Sequence, residues 1–242
     1  VTQLTGATAT YAFTSGMAAI HNALMTFAES GKNIVTSKHL FGNTFSLIGG
    51  TFRRLGVKAK FIDLTNIDKV REAVDADTCC IFAEIITNPQ MEVADFRALA
   101  EVAHEHDVPL IADTTIIPFT QFSAKDLGID IEVVSSTKYI SGGATSLGGL
   151  MINYGRFDFV DKRVRMELLY NLGAIMTPHV AYMQTLGLET LEARYRVQSA
   201  NALAIAKALR EVEGIISVNY VGLEDNPYYE LSRSQFGETA GA

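Results

Sequence analysis

Short, almost uninterrupted apolar runs recur along the chain, with stretches of helical periodicity between them. The runs are Asn33–Ser37, Val57–Ile62, Cys80–Thr87, Val108–Asp113 and Ile131–Ser135. A strand with one wet face alternates apolar and polar residues, whereas a strand buried on both faces does not. Between the runs, Ser15–Glu29 sets Met17, Ile20, Leu24 and Phe27 at helical spacing, with Gly31 as a stop. Asp95–His106 likewise sets Phe96, Leu99, Ala100 and Ala103 on one face, with Pro109 beyond its end. Such alternation predicts βαβ units, hence an α/β fold with a mostly parallel sheet sandwiched by helices. After Gly155 the texture turns helical, and Gln184–Val212 reads as one long helix. Gly214 breaks it, and Ile215–Val221 reads as a new strand. This divides the chain into a large domain over residues 1–212 and the start of a smaller α/β domain over 213–242.

With 242 residues, 48% of them hydrophobic, the chain can bury a large core and is not of disordered composition. No apolar run approaches the ~18 residues that span a bilayer, and no basic segment leads into an apolar one as in a signal peptide. Lys+Arg 20 against Asp+Glu 27 leaves a net charge of −7, which argues against a nucleic-acid partner. Cys79 and Cys80 are neighbours on a strand, so they point to opposite faces and do not pair. Two packed thiols suit a reducing cytoplasm. The chain opens at Val1 rather than Met and closes at residues 237–242 in a loop-like stretch, which predicts a piece of a longer protein.

In an open parallel sheet, ligands bind beyond the carboxyl ends of the strands. Thr14-Ser15-Gly16-Met17 opens a helix, where free N–H groups can hold a phosphate. Glu84-Ile-Ile-Thr-Asn88-Pro89 closes another strand, and Pro89 forces a turn at Asn88. Asp113 ends the strongly apolar Val108 run, where a charge needs a partner. Ser135-Ser-Thr137-Lys138 ends the Ile131 run; a lysine held dry at a strand end can form a Schiff base. Ser135 and Thr137 are two apart, so on a strand their hydroxyls share a side. Pyridoxal phosphate needs such a set: an amine for its aldehyde, a carboxylate for its ring nitrogen and donors for its phosphate.

These motifs, in this order, resemble those of the Cys/Met-metabolism family of pyridoxal-phosphate enzymes, and the likeness runs over nearly the whole chain. It implies the aspartate-aminotransferase-like architecture of fold type I. It further implies Gly16 and Met17 as backbone donors to the phosphate, with Ser135 and Thr137 as its hydroxyls. By the same resemblance Phe41, in Phe41-Gly42-Asn43-Thr44, would be the ring that stacks on the cofactor, and Asn88 would bond its ring oxygen. Asp113 would be the partner of the pyridine nitrogen, and Lys138 the Schiff-base and catalytic lysine. The pattern is most similar to the O-acetylhomoserine sulfhydrylase branch, which predicts γ-replacement on O-acetylhomoserine by a sulfur nucleophile in methionine biosynthesis. A γ- or β-lyase, or a cystathionine γ-synthase, is the alternative.

Departures from the family pattern bear on this. Phe41 replaces the usual Tyr and loses its phenol, leaving more of the proton traffic to Lys138. Thr114 replaces a usual Asn, and Asn43 stands where methionine γ-lyases tend to carry Cys. The family's N-terminal phosphate-clamping arm and its C-terminal carboxylate-binding Arg are not matched. Phosphate sites completed by a neighbour imply a homo-oligomer, dimer or tetramer. A nucleotide-binding module is a distant rival, since Gly142–Gly149 lacks the Lys-Ser/Thr of a phosphate loop. His104 and His106 diverge on their helix, so no metal is expected.

Overall fold

The computed structural model describes residues 1–241. Among them, seven strands form one sheet in the order β1-β7-β6-β5-β4-β2-β3. Their ranges are β1 Ala9–Phe13, β2 Asn33–Ser37, β3 Lys58–Ile62, β4 Thr78–Glu84, β5 Leu110–Asp113, β6 Ile131–Val134 and β7 Gly149–Asn153. Strands β3, β2, β4, β5 and β6 pair in parallel. Strand β7 runs antiparallel to both β6 and β1, so β1 points the same way as β6. The sequence reading contained neither β1 nor β7. Strand β1 is an edge strand, alternately buried and half-buried, and β7 opens on glycine.

Both faces of the central strands are covered, which is why their sequences are almost continuously apolar. Ile34, Cys80, Phe82, Ile111, Ile131, Val133 and Met151 point to one face and meet Ala19, Ile20, Ala23 and Leu24 of helix α1, Gly16–Met25. Val35, Ile81, Ala83, Leu110 and Ala112 point to the other and meet Phe96, Leu99 and Val102 of helix α2, Phe96–Glu105. Both helices start at a side-chain cap. Ser15 Oγ accepts from the Ala18 N–H at 3.1 Å, and Asp95 Oδ1 from that of Ala98 at 3.1 Å. Cys79 and Cys80 are buried and free.

Two expectations are corrected. The single helix over Gln184–Val212 is two: α3 Pro178–Glu189 and α4 Leu191–Leu209, broken at Thr190. The break lets α3 press Gly187 against the loop at 140–142, where a Cβ would lie 2.0 Å from Ile140 O. Arg194 spans the break, donating to Gly187 O at 2.7 Å. The expected strand Ile215–Val221 is also absent: residues 215–220 have no regular structure and pair with no strand among the described residues. An apolar stretch becomes a strand only where an edge is open to it. Here Ile216 is fully exposed, while Val221 turns inward and joins Phe236 of α5, Tyr229–Phe236, on the α2 side of the core. No helix among the described residues is long and apolar enough to cross a membrane.

Strand β7 starts hard against the entrance to α1. A Cβ on Gly149 would lie 2.1 Å from Ser15 O, a backbone atom that cannot step aside. Gly149→Ala is therefore expected to cost about 1–3 kcal/mol by overpacking, lowering the thermal midpoint by roughly 2–4 °C for each kcal/mol. An unchanged midpoint in calorimetry would contradict this packing.

Candidate active site

The register of the parallel strands brings the singled-out residues to one rim. Glu84 at the end of β4 pairs with Asp113 at the end of β5, and Asp113 pairs with Val133 of β6. Alternation along each strand puts Glu84 with Phe82, and Asp113 with Ile111, on the α1 side. Ser135 follows Val133 by two and also meets α1: a Cβ on Gly16 would lie 2.6 Å from Ser135 Cβ and 2.8 Å from its Oγ. Only glycine allows the helix start to come this near.

That contact sets free donors side by side. The N–H groups of Gly16 and Met17 lead α1 and have no acceptor among the described residues. The Ser135 hydroxyl lies beside them. Thr137 behaves differently from the expectation of a shared strand face. Strand β6 stops at Val134 and the chain turns, so the two-residue rule no longer applies. Thr137 Oγ1 instead accepts from the Gly148 N–H at 3.0 Å and donates to Gly148 O at 3.2 Å, closing the loop that follows the lysine.

Lys138 lies in the same turn, its N–H donating to Ser135 O at 3.2 Å. It is exposed, not held dry at a strand end as expected, because the turn carries it off the sheet. Its amine has no acidic partner among the described residues, so it is available to a ligand.

The carboxylates carry the electrostatics of the rim. Asp113 Oδ1 accepts from the Thr115 N–H at 2.9 Å and its hydroxyl at 2.5 Å, and Thr115 Oγ1 accepts from the Ser135 N–H at 2.8 Å. Thr115 thereby ties the end of β5 to the start of the lysine turn. Burial pushes the Asp113 carboxyl above its ordinary range. Glu84, 7% exposed, accepts the N–H of Phe41 at 2.7 Å and that of Asn88 at 3.1 Å. Burial, reinforced by repulsion from Asp113, pushes it up to about 8. On the opposite face Glu132 is fully buried, accepting from Thr114 at 2.5 Å and from Tyr154 at 2.6 Å. Thr114 is thus committed to the core side of the sheet.

Phe41 is 44% exposed and caps the short helix Gly42–Ser46, whose Thr44 hydroxyl reaches Met17 Sδ at 3.9 Å. The Asn88 side chain is exposed beside a cis peptide to Pro89. Sequence reasoning found Glu84 as part of a motif but assigned it no role, and it missed Thr115 and Glu132. A carboxylate closing an apolar run was the available signal for the first. A cavity of about 340 Å³ opens at the other rim among Phe27, Cys79, Phe157 and Phe159 and holds none of these residues. The donor set, rather than that void, marks the site. Free donors at a helix start too tight for a Cβ, an amine without an acid partner and a carboxylate with a raised pKa fit pyridoxal phosphate.

The sequence model of the family described as Cys/Met metabolism PLP-dependent enzyme matches residues 1–242. The O-acetyl-L-homoserine sulfhydrylase of Corynebacterium glutamicum is 33% identical over 95% of this chain and 60% of its own length. The canavanine gamma-lyase of Pseudomonas canavaninivorans is 36% identical over 99% of this chain and 60% of its own. Among solved structures, the O-acetylhomoserine sulfhydrylase of Wolinella succinogenes superposes with a TM-score of 0.91 at 39% identity, covering 99% of this chain and 74% of that one. The chain thus spans about 60% of the length of the curated relatives it matches.

Glu84 gives a pH signature. Its value of about 8 lies above the ordinary 4.5, so in this interval the folded chain holds a proton that the unfolded chain releases. The stability from this group is full below the lower value and is lost as pH rises through the upper one. Between about pH 5 and pH 9, cofactor-free Glu84→Gln is expected to lose less thermal stability than the unaltered protein, because a neutral amide has no proton to release. Equal losses in the two would contradict the assignment.

Proposed function

We propose, from the premise that the chain belongs to the Cys/Met-metabolism family of PLP-dependent enzymes, that its rim site holds pyridoxal phosphate on Lys138. The reaction we assign is γ-replacement on O-acetylhomoserine. What supports this reading is that the α1 entrance, Asp113 and the Asn88 turn lie at one rim of one sheet, with Lys138 in the turn that leaves β6 at that rim. The N–H groups of Gly16 and Met17 and the Ser135 hydroxyl would hold the phosphate. Thr137 would add its hydroxyl by releasing Gly148 O. Asp113 would keep the ring nitrogen protonated, Phe41 would cover the ring and Asn88 would bond its oxygen. When bound, the cofactor supplies an aldehyde and a sink for carbanion charge.

The residues then divide the proton work. Lys138 Nζ takes the proton from the substrate Cα and shuttles one at Cβ, because Phe41 has no hydroxyl to share the task. Loss of acetate from Cγ and addition of sulfide there balance as O-acetylhomoserine plus hydrogen sulfide giving homocysteine plus acetic acid. The sulfhydrylases among the relatives support replacement. A second reading, elimination, is favoured by one observation: a gamma-lyase is 36% identical. Elimination from the same substrate, with one water consumed, would end in a keto acid, ammonia and acetic acid. The same reading makes the protein a cytoplasmic homo-oligomer, dimer or tetramer, serving methionine biosynthesis. Residues 1–212 are then its large domain and 213–242 the opening of a smaller one.

Lys138→Ala is expected to abolish both the yellow absorbance of bound cofactor and turnover; yellow, active protein would overturn the assignment. With O-acetylhomoserine and sulfide, homocysteine is expected to exceed keto acid at least tenfold, and the reverse ratio would favour the lyase reading.

A further inference from the structure

Glu84 is buried and closes β4, and buried carboxylates occur only where donors are supplied. Its donors come from two separate loops. Oε1 takes the N–H of Phe41, on the loop after β2, at 2.7 Å. Oε2 takes the N–H of Asn88, on the turn after β4 itself, at 3.1 Å. Phe41 precedes a helix that no side chain caps, and neither N–H has another acceptor among the described residues. One carboxyl group therefore satisfies the residue expected to stack on the cofactor and the one expected to bond its ring oxygen.

We propose that Glu84 is a positioning residue that locks the Phe41 loop to the Asn88 turn, so that the stacking ring and the amide are set as one unit. The brace is a property of the chain, and only the naming of what the two residues grip rests on the cofactor reading above. A two-oxygen group is required. Glutamine offers one acceptor oxygen to two donors, and alanine offers none. His39 Nδ1, at 2.7 Å from Glu92 Oε2, also ties these loops. It joins neither Phe41 nor Asn88 directly.

The test is site-resolved amide hydrogen exchange on the full-length protein, with and without pyridoxal phosphate, paired with an absorbance titration of the cofactor. In Glu84→Ala the amides of Phe41 and Asn88 are expected to exchange at least about tenfold faster, the scale of a lost buried hydrogen bond. The amide of Leu110, which donates to Asp130 at 2.9 Å, serves as control and is expected to stay unchanged. Cofactor affinity is expected to fall about tenfold, and KM to rise more than kcat falls. Glu84→Gln is expected to restore protection at one of the two amides, and it stands as the test should the alanine variant fail to fold. Unaltered exchange at both amides in either variant would overturn the brace. Failure of the unaltered protein to take up pyridoxal phosphate would overturn the cofactor reading alone, since exchange in the cofactor-free protein still reports on the brace.

Discussion

Glu84 and Asp113 end neighbouring parallel strands in direct register, and two carboxylates so placed on a part-buried face repel each other. Donors brought in from the loops make the arrangement tolerable. Glu84 takes two backbone N–H groups and Asp113 takes the N–H and hydroxyl of Thr115. Loop positions around the rim follow from this need. Thr115 in turn receives the Ser135 N–H, and Ser135 sits against Gly16 at the entrance to α1. A cation arriving at Asp113, such as a protonated ring nitrogen, relieves the same repulsion. The rim thus sets carboxyl groups in its middle and free N–H donors at the helix start.

Much of this was legible in the sequence, for physical reasons that also mark where legibility ended. Strands covered on both faces leave continuous apolar runs, so β2, β4, β5 and β6 could be read, whereas β3, expected to be buried in the same way, lies at the sheet edge with no residue fully buried. Strand β1, alternating at an edge, and β7, opening on glycine, left no such trace. Ile215–Val221 is as apolar as a strand but pairs with no strand among the described residues, an outcome its own residues do not announce. The helix break at Thr190 answers to the approach of Gly187 to residues 140–142, a distant cause.

At the site, residue types were easier to read than orientations. Gly16, Asp113 and Ser135 come together on the α1 side because strand register brings them there. The directions of Thr137 and Lys138 depend on β6 stopping at Val134, and no local feature of Val133-Val-Ser-Ser-Thr announces that stop. Glu84 shows the converse. It stood in plain view within a motif, yet its role depends on Phe41, 43 positions earlier. The choice between replacement and elimination lies beyond these elements. Both need the same amine, carboxylate and anion seat, and they differ in what reaches Cγ after the leaving group departs.

A crystal structure of the full-length protein grown with pyridoxal phosphate bears most directly on whether these groups act together. The account predicts continuous density from Lys138 Nζ to the cofactor, the phosphate on the N–H groups of Gly16 and Met17 and the Ser135 hydroxyl, and the ring nitrogen about 2.7–3.2 Å from Asp113. Density joined to another lysine, or a phosphate seated away from the α1 entrance, would contradict it.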